Sequence, residues 1–344
     1  MNISRLPRIS ILMPVYNVQN YVSEAVESIL SQTYSDFELL ILDDCSTDKT
    51  ADVISQFHDK RIRYHRNETN LGLAENLNVG IRMSRGEYLA RMDGDDISMP
   101  TRLEKQVAIL DKHPEIGICG TSFQFFGTRN DTVIQPKQHD NIKIKMLFGC
   151  VVTLVVMRKE IFIDNDLWYR TDAFPAEDYK MWADCLHITK ICNLSEVLFL
   201  YRMHDMQIST SKAIAQKQKS DEVRLEMLNW LSPDFTEEDK VFFCGQFVPG
   251  LMYLETEYVR FQQIAKKMLI ENGKHNNFNS ILLKKQLRKH LQIIVLKFVL
   301  EKYFNNGYAY QYYILYLRSQ LIFKVSIRNN IKFLLKSILS SIRK

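Results

Sequence analysis

Hydrophobic and polar positions between residues 9 and 92 follow two alternating periods. Short apolar runs predict strands at residues 9–15, 37–42, 61–65 and 86–92. Apolar residues spaced three or four apart predict helices at residues 20–31 and 73–83, and a third that begins at a Ser46 or Thr47 cap and ends near residue 57. Strands that alternate with helices predict an α/β domain with a mostly parallel sheet and helices on both faces.

The pattern changes after residue 100. We predict helices at residues 100–112 and 178–186, and strands at residues 116–126, 151–157 and 196–202. The run from Met146 to Met157 is apolar but too short to cross a bilayer, since a spanning helix needs about 20 apolar residues. From residue 212 onward the sequence is mostly helical. We therefore expect an α/β domain over residues 1–210, followed by a helical, basic region over residues 211–344.

The composition is that of a globular protein in a reducing compartment. Hydrophobic residues make up 46% of the 344 positions and charged residues 25%. The six cysteines occur singly, without a Cys-x-x-Cys pair, so neither a zinc site nor a disulfide framework is indicated. The first residues lack the long apolar core of a signal peptide. We expect a cytoplasmic protein.

The stretch from Arg91 to Asp96 concentrates three carboxylates, Asp93, Asp95 and Asp96, directly after a predicted strand. Such carboxylates repel one another unless a cation lies among them, and their oxygens suit Mg²⁺ or Mn²⁺. In open α/β sheets ligands bind at the carboxyl ends of the strands. The stretch therefore predicts a divalent cation that grips a substrate diphosphate. The alternative is a solvated Asp-Gly turn that caps the helix starting near Pro100.

Polar residues also follow the first two predicted strands. Asp44 comes at the end of the second strand, where a carboxylate can accept hydrogen bonds from a nucleobase or a ribose. For Asp48, four residues later, helix capping is the preferred interpretation. Gly72 opens a helix whose amino terminus favours an anion. The chain has neither a Gly-x-Gly-x-x-Gly motif nor a P-loop, which argues against a dinucleotide oxidoreductase and a kinase.

Six ordered segments resemble glycosyltransferase family 2 over roughly residues 8–205. They are Val15-Tyr16-Asn17, Ser31-Gln32-Thr33-Tyr34, Asp43-Asp44-Cys45-Ser46-Thr47-Asp48, Asn70 with Gly72-Leu73-Ala74, Asp93-Gly94-Asp95-Asp96, and Pro100 with Arg102-Leu103. The resemblance implies the GT-A fold, a nucleotide-diphospho-sugar donor, a divalent cofactor (Mn²⁺ or Mg²⁺) and inversion at the anomeric carbon. At Cys45 the family commonly has glycine, and we expect no loss of function from this departure.

The resemblance also assigns roles to individual residues. On the donor it implies contacts from Pro14, Tyr16, Asn17, Asp44, Arg66, Asn70, Asp93 and Arg202. Asp44 would contact the base and Asp93 would lie near the ribose. Asp95 would hold the metal, with Asp93 and His204 as further candidate ligands. A lone histidine is more often structural, but His204 lies in a segment similar to the family's late Tyr-Arg-x-His segment.

Glu177 and Asp178 look like the family's Glu-Asp motif at the start of a helix. Inversion by single displacement needs one base to take the proton of the attacking hydroxyl, and we assign Asp178 to this role. Glu177 and Asp96 are candidate acceptor contacts, and Trp182, one turn further on, is either a core residue or a wall of the acceptor pocket. The alternative interpretation is a pair of acids in the first turn of a helix, stabilised by the helix dipole.

The last part of the chain is strongly basic. Residues 281–344 contain 13 Lys and Arg residues and a single acid, Glu301. Residues 331–342 place isoleucines and leucines on one face of a predicted helix, which suggests an interfacial anchor on an anionic inner membrane. The alternative is a helix that packs on the catalytic domain and exposes its lysines. No nucleic-acid-reading motif accompanies the charge.

Together these features predict an inverting glycosyltransferase that lies peripherally on the cytoplasmic face of the inner membrane. We expect it to move a hexose, with glucose from UDP-glucose as the best hypothesis, onto a polyprenyl-diphosphate-linked sugar. The product would be a β-linked glycan of an O-antigen, as in lipopolysaccharide, or of a similar surface polysaccharide. Another UDP-sugar (galactose or GlcNAc) on a lipooligosaccharide or protein acceptor is the alternative. A sugar nucleotidyltransferase would need a Gly-rich basic loop after the first strand, and an inactive sugar- or lipid-binding module would lack the acids.

Overall fold

A computed structural model of the chain describes residues 6–204, 207–246 and 255–305. The chain divides into two compact units, with the boundary between Arg224 and Leu225. The strands are β1 Ile9–Val15, β2 Phe37–Asp43, β3 Ile62–Arg66, β4 Tyr88–Arg91, β5 Ile97–Ser98, β6 Ile116–Gly127, β7 Thr132–Val133, β8 Val156–Arg158 and β9 Lys190–Met203.

Helices lie between and after these strands. They are α1 Val22–Leu30, α2 Thr50–Ser55, α3 Leu73–Met83, α4 Arg102–Lys112, α5 His139–Met146, α6 Lys159–Asp164, α7 Glu177–Cys185, α8 Ile208–Ser211, α9 Ala213–Leu231, α10 Glu237–Gly245, α11 Glu255–His275 and α12 Ser280–Asn305. A short 3-10 helix, Thr171–Ala173, precedes α7.

The strands of the first unit form one sheet in the order β3-β2-β1-β4-β8-β6-β9-β5, with β7 paired to β6. Strands β1 to β4 are mutually parallel, β8 and β5 run antiparallel to their neighbours, and β6 pairs in parallel with β9. The chain leaves β1 towards β2 and β3 and returns to β4 on the other side of β1. The carboxyl ends of β1 and β4 therefore form a topological switch point, where such sheets bind ligands.

The hydrophobic core lies on both faces of the first strands. All seven residues of β1 and of β2 are buried, as expected for central parallel strands that are covered by helices on each side. Helix α1 buries Val22, Val26 and Ile29 at helical spacing against this core. The predicted mixed, mostly parallel α/β sheet is confirmed.

Several predicted boundaries need correction. The predicted strand at residues 151–157 is wrong except at its end, because only Val156–Arg158 forms a strand. Leu154 has a left-handed φ of 53°, and side chains of Arg102, Gln106 and Asn193 donate to the backbone of this segment. Polar side chains therefore supply the hydrogen bonds that the backbone carbonyls of this segment would have made in the predicted strand.

Helix α2 also begins later than predicted. Its first residue is Thr50, and Asp48 Oδ1 accepts a hydrogen bond from Thr50 N at 2.9 Å. The predicted Ser46 cap is not made, because Ser46 Oγ accepts instead from Asn17 N at 3.1 Å. Strand β9 is longer than the prediction, and β5, β7, α5 and α6 were not predicted.

The second unit is helical in the residues described, as the sequence predicts. Helices α11 and α12 pack through buried apolar side chains that include Phe261, Met268, Leu283 and Leu287. Asn272 clamps the turn between them, donating to Phe278 O at 2.8 Å and accepting from Phe278 N at 2.9 Å. Within the described ranges no helix is long and apolar enough to cross a membrane. The predicted amphipathic helix at residues 331–342 lies outside the described residues.

Candidate active site

The acidic loop (Asp93, Asp95 and Asp96) follows β4 at the switch point, beside the end of β1. Its backbone packs closely against that strand. A Cβ atom on Gly94 would lie 2.7 Å from Val15 Cγ1, so glycine is required for this approach. The loop is therefore fixed where the parallel strands end, as the sequence predicts.

Asp95 and His204 come together from distant parts of the chain. Asp95 Oδ2 lies 3.1 Å from His204 Nε2, and the His204 ring packs against the ring of Tyr21, with 4.6 Å between the centroids and a tilt of 36°. Burial, followed by the charge of Asp93, raises the pKa of Asp95. In the part of the chain that the structure describes, no three His, Cys, Asp or Glu side chains form a group that could hold a metal by themselves. The site thus offers one carboxylate and one imidazole.

Arg202 ties the end of β9 to the acidic loop. Its backbone N–H donates to the buried Asp96 carboxylate at 2.7 Å, and its Nε donates to Asp95 O at 2.7 Å. Its Nη2 contacts Glu24 Oε2 at 2.7 Å, and its guanidinium lies over the ring of Phe126. In this structure Arg202 and Asp96 support the loop. Their predicted contacts to donor and acceptor stay predictions.

Glu177 and Asp178 form the first turn of α7, as predicted. Asp178 Oδ1 contacts Nη1 of Arg91, and Nε of the same guanidinium lies 3.2 Å from Asp93 Oδ1. Desolvation raises the pKa of Asp178, and the charge of Arg91 opposes this shift. Burial, followed by the charge of Asp178, raises the pKa of Glu177 to about 7. The structure therefore brings the predicted base against the acidic loop.

No role was predicted for Arg91, although it forms the centre of this cluster. It is 6% exposed and pairs with both Asp93 and Asp178. The signal in the sequence was an arginine at the end of a buried strand, directly before three acids. The sequence did not indicate that this arginine would contact Asp178 of α7.

Asp44 is buried and its carboxylate is surrounded by protein donors. Oδ1 accepts from Leu71 N at 2.8 Å and from Asn67 Nδ2 at 2.9 Å, and Oδ2 accepts from Gly72 N at 2.8 Å. Asn70 Nδ2 donates to the carbonyl of Asp44 at 3.1 Å. Asp44 thus fixes the segment that enters α3. The predicted contact to the base stays a prediction.

The end of β1 lies beside this segment. Pro14 belongs to β1, and Tyr16 directly after it is 49% exposed. Asn17 has a left-handed φ of 54°, and its Oδ1 accepts from the backbone N–H groups of Thr47 and Asp48 at 2.8 and 3.3 Å. Asn17 therefore joins the turns that follow β1 and β2.

Arg66 and Cys45 form the outer part of the same edge. Arg66 Nη2 donates to Ser46 O at 2.7 Å. Cys45 has a φ of 64°, in the left-handed region that favours glycine. This conformation gives a physical reason for glycine at the equivalent position of the family. Cys45 Sγ lies 3.7 Å from Glu68 O.

Trp182 lies one turn into α7 and is only 1% exposed. It packs edge-on against Tyr169 with 6.3 Å between the ring centroids. Asn78 of α3 holds the backbone of Tyr169 through two hydrogen bonds of 2.9 Å. Among the residues that the structure describes, neither Tyr169 OH nor Trp182 Nε1 has a hydrogen-bond partner. Trp182 thus belongs to the core under the site, and its acceptor contact stays a prediction. Tyr169 was not predicted, since its segment lacks a recognisable period.

A mixed sheet with an acidic loop at its switch point is the architecture of GT-A glycosyltransferases. The structure is similar to that of S. aureus TarS 1–349 in complex with UDP-GlcNAc, with a TM-score of 0.57 and 18% identity. That match covers 91% of this chain and 89% of the other. Mannosyltransferase PcManGT from Pyrobaculum calidifontis, in complex with GDP-Man and Mn²⁺, has a TM-score of 0.50 at 16% identity, covering 87% of this chain and 89% of the other.

Sequence comparison identifies the family. The model described as glycosyl transferase family 2 matches residues 10–164. An uncharacterized glycosyltransferase of Haemophilus influenzae is 30% identical over 239 residues, 65% of this chain and 74% of the relative. The Escherichia coli UDP-Glc:alpha-D-GlcNAc-diphosphoundecaprenol beta-1,3-glucosyltransferase WfgD is 30% identical over 221 residues, 62% of this chain and 84% of the relative. The chain belongs to glycosyltransferase family 2, and the predicted class of enzyme and fold are confirmed.

Proposed function

We propose that this glycosyltransferase moves glucose from UDP-glucose onto a sugar that is linked to a polyprenyl diphosphate, with inversion to a β-linkage. The placement of Asp178 beside Arg91 and the acidic loop carries the proposal. The similarity to WfgD, whose name gives this donor and acceptor class, supports the choice of substrates. A step of this kind would serve the synthesis of an O-antigen or a similar surface polysaccharide.

Asp178 is proposed as the base. Its side chain remains 36% exposed, so an acceptor hydroxyl can reach it. As the hydroxyl oxygen attacks the anomeric carbon, Asp178 accepts its proton, and the bond from that carbon to the diphosphate oxygen breaks on the opposite face. Glu177 is 5% exposed, its Oε2 has no partner among the described residues, and we propose that it contacts the acceptor.

The site fits a divalent cation. Asp95 and His204 would hold it, and a cation with two protein ligands matches the way Mg²⁺ and Mn²⁺ share their coordination with substrate phosphates and water. When bound, the metal would stabilise the negative charge of the departing nucleoside diphosphate. Asp93 Oδ1 contacts Arg91, so we assign Asp93 to the ribose side of the donor rather than to the metal.

The donor proposal is tested by calorimetry with UDP-glucose, UDP-galactose, UDP-GlcNAc and GDP-mannose, each with Mn²⁺ and with EDTA. We expect UDP-glucose to bind with Mn²⁺ and to bind at least about tenfold more weakly with EDTA, because a cation held by Asp95 and His204 would offset the negative charge of the diphosphate. Asp95→Ala should remove this metal dependence, while Asp131→Ala, an exposed control, should retain it. If another nucleotide sugar binds instead, that sugar replaces UDP-glucose as the proposed donor. Binding that is equally strong with Mn²⁺ and with EDTA would overturn the proposed cation site.

We also propose that the helical region docks on an anionic membrane that holds the acceptor. Lys284, Lys285, Arg288 and Lys289 are exposed along one face of α12, and residues 280–300 contain no acid. Ile281, at 80% exposure, flanks these cations. We call these four cations the basic face of α12. Cations near an anionic bilayer contribute about 1 kcal/mol each, so this face supports peripheral association.

A further inference from the structure

Arg91 lies beneath two carboxylates that are far apart in the chain. Its guanidinium contacts Asp93 Oδ1 at 3.2 Å and also Asp178 Oδ1. The arginine side chain is 7% exposed, whereas those of Asp93 and Asp178 are 29% and 36% exposed. The cation is therefore buried while both of its partners remain open to a ligand.

The backbone of Arg91 is held on two sides. Its N–H donates to Val155 O at 3.0 Å, and its carbonyl accepts from Arg102 Nη1 at 3.2 Å. It also pairs with Leu12 in the register of β4 and β1. The guanidinium thus extends from a fixed point of the sheet.

Stability alone is a weak reason for this arrangement. Burying a guanidinium costs desolvation free energy, and a hydrophobic residue of similar volume often stabilises a core equally well. An arginine supplies something that a hydrophobic residue lacks, namely a planar set of donors that fixes two carboxylates relative to one another. Asp93 comes from the loop after β4 and Asp178 from α7, so Arg91 joins two elements of the site.

We infer that Arg91 is a positioning residue for sugar transfer, which sets Asp178 relative to the donor-side Asp93. The inference rests on the proposed function, in which Asp93 lies near the donor ribose and Asp178 accepts the acceptor proton. The cation fixes one oxygen of Asp178 by direct contact. Because a misplacement of about 1 Å at a reacting group can cost about 100-fold in rate, the contact matters for the transfer step.

Arg91→Met tests the inference by removing the donors at nearly constant volume. We expect kcat for transfer from UDP-glucose to a GlcNAc-diphospholipid to fall about 100-fold, with the donor dissociation constant changed by less than about threefold. Arg91→Lys, which keeps the charge but not the planar set of donors, should recover part of the rate. Arg129→Met removes another arginine paired to an aspartate two residues later, on the exposed surface, and should leave kcat unchanged.

The double variant Arg91→Met/Asp178→Asn separates positioning from a general structural effect. If Arg91 acts through Asp178, the double variant should be within about threefold of Asp178→Asn alone. The inference would be overturned if the fall in kcat of the double variant equalled the product of the falls in the two single variants. An unchanged kcat for Arg91→Met would overturn it as well. Circular dichroism and thermal unfolding establish that the variants are folded, and Arg91→Lys carries the test if Arg91→Met does not fold.

If the proposed substrates are wrong, the result differs from that expected if the inference about Arg91 is wrong. The wild-type protein would then transfer no glucose to the lipid acceptor. In that case the same variants are compared by hydrolysis of whichever nucleotide sugar the wild-type protein binds, since water replaces the acceptor hydroxyl at Asp178. An equal hydrolysis rate in wild type and Arg91→Met would overturn the inference, and a fall that is not deepened in the double variant would support it.

Discussion

Glu177 carries a buried carboxylate oxygen, Oε2, that has no hydrogen-bond partner within the described part of the chain. Because burial and the neighbouring Asp178 raise its pKa from 4.5 to about 7, the folded protein binds more protons than the unfolded chain between these values. The stabilising effect of the protonated form is complete at low pH and is lost as the pH rises to about 7. Ionisation of Glu177 therefore destabilises the fold near neutral pH.

Glu177→Gln should remove this pH dependence. Between pH 5 and pH 7.5 the free energy of unfolding of the variant should gain about 1–3 kcal/mol relative to wild type, because glutamine has no proton to lose. Urea unfolding at several pH values measures the difference. Glu68→Gln, at an exposed position, is the control. A difference between Glu177→Gln and wild type that stays constant over this range would contradict the assigned pKa.

At the scale of elements, Asp44 connects β2 to the amino terminus of α3. Its carboxylate accepts hydrogen bonds from the backbone N–H groups of Leu71 and Gly72 and from one side-chain amide, so it fixes the turn that leads into the helix. Asp44→Ala would leave these donors unpaired in a largely buried position. We expect it to lower the free energy of unfolding by about 2–4 kcal/mol, and donor affinity to fall with it.

Urea unfolding and calorimetry on the same samples test the role of Asp44. Asp48→Ala, which removes two backbone hydrogen bonds nearer the surface, should cost only about 1 kcal/mol. Full stability of Asp44→Ala together with lost binding of the nucleotide sugar would show a direct contact to the donor instead. The two measurements thus separate support of α3 from recognition of the base.

The sequence predicts the first half of the sheet well because local periodicity determines it. Strands β1 to β3 and helices α1, α3 and α4 occur close to their predicted positions. Residues 151–155 could not be predicted, since side chains from α4 and β9, distant in sequence, replace the strand hydrogen bonds. The contact between Arg91 and Asp178 could not be predicted either, because it depends on how α7 is placed relative to β4.

For the whole molecule, the basic face of α12 predicts salt-dependent binding to anionic membranes. The full chain should bind vesicles of phosphatidylglycerol and phosphatidylethanolamine at low salt, and bind neutral phosphatidylcholine vesicles weakly. Lys284→Glu/Lys285→Glu should weaken binding about tenfold or more, since each reversal replaces attraction by repulsion. Co-sedimentation measures the bound fraction.

A matched variant controls for net charge. Lys217→Glu/Lys219→Glu changes the charge equally in α9, where both lysines pair with acids, and should bind like the wild-type chain. Deletion of residues 325–344 tests the predicted anchor in the last residues separately. Equal weakening by both charge reversals would show that net charge alone drives binding, and unchanged binding by Lys284→Glu/Lys285→Glu would remove α12 from the membrane proposal.

The strand β5 has a consequence for the order in which the protein is synthesised. It follows the acidic loop directly, yet it pairs with β9, which begins only at residue 190 and ends next to His204. On the ribosome, Asp95 and Asp96 emerge long before Arg202 and His204, which contact them in the folded protein. The contacts of Asp95 and Asp96 with Arg202 and His204 can therefore form only after β9 has been synthesised, late in translation.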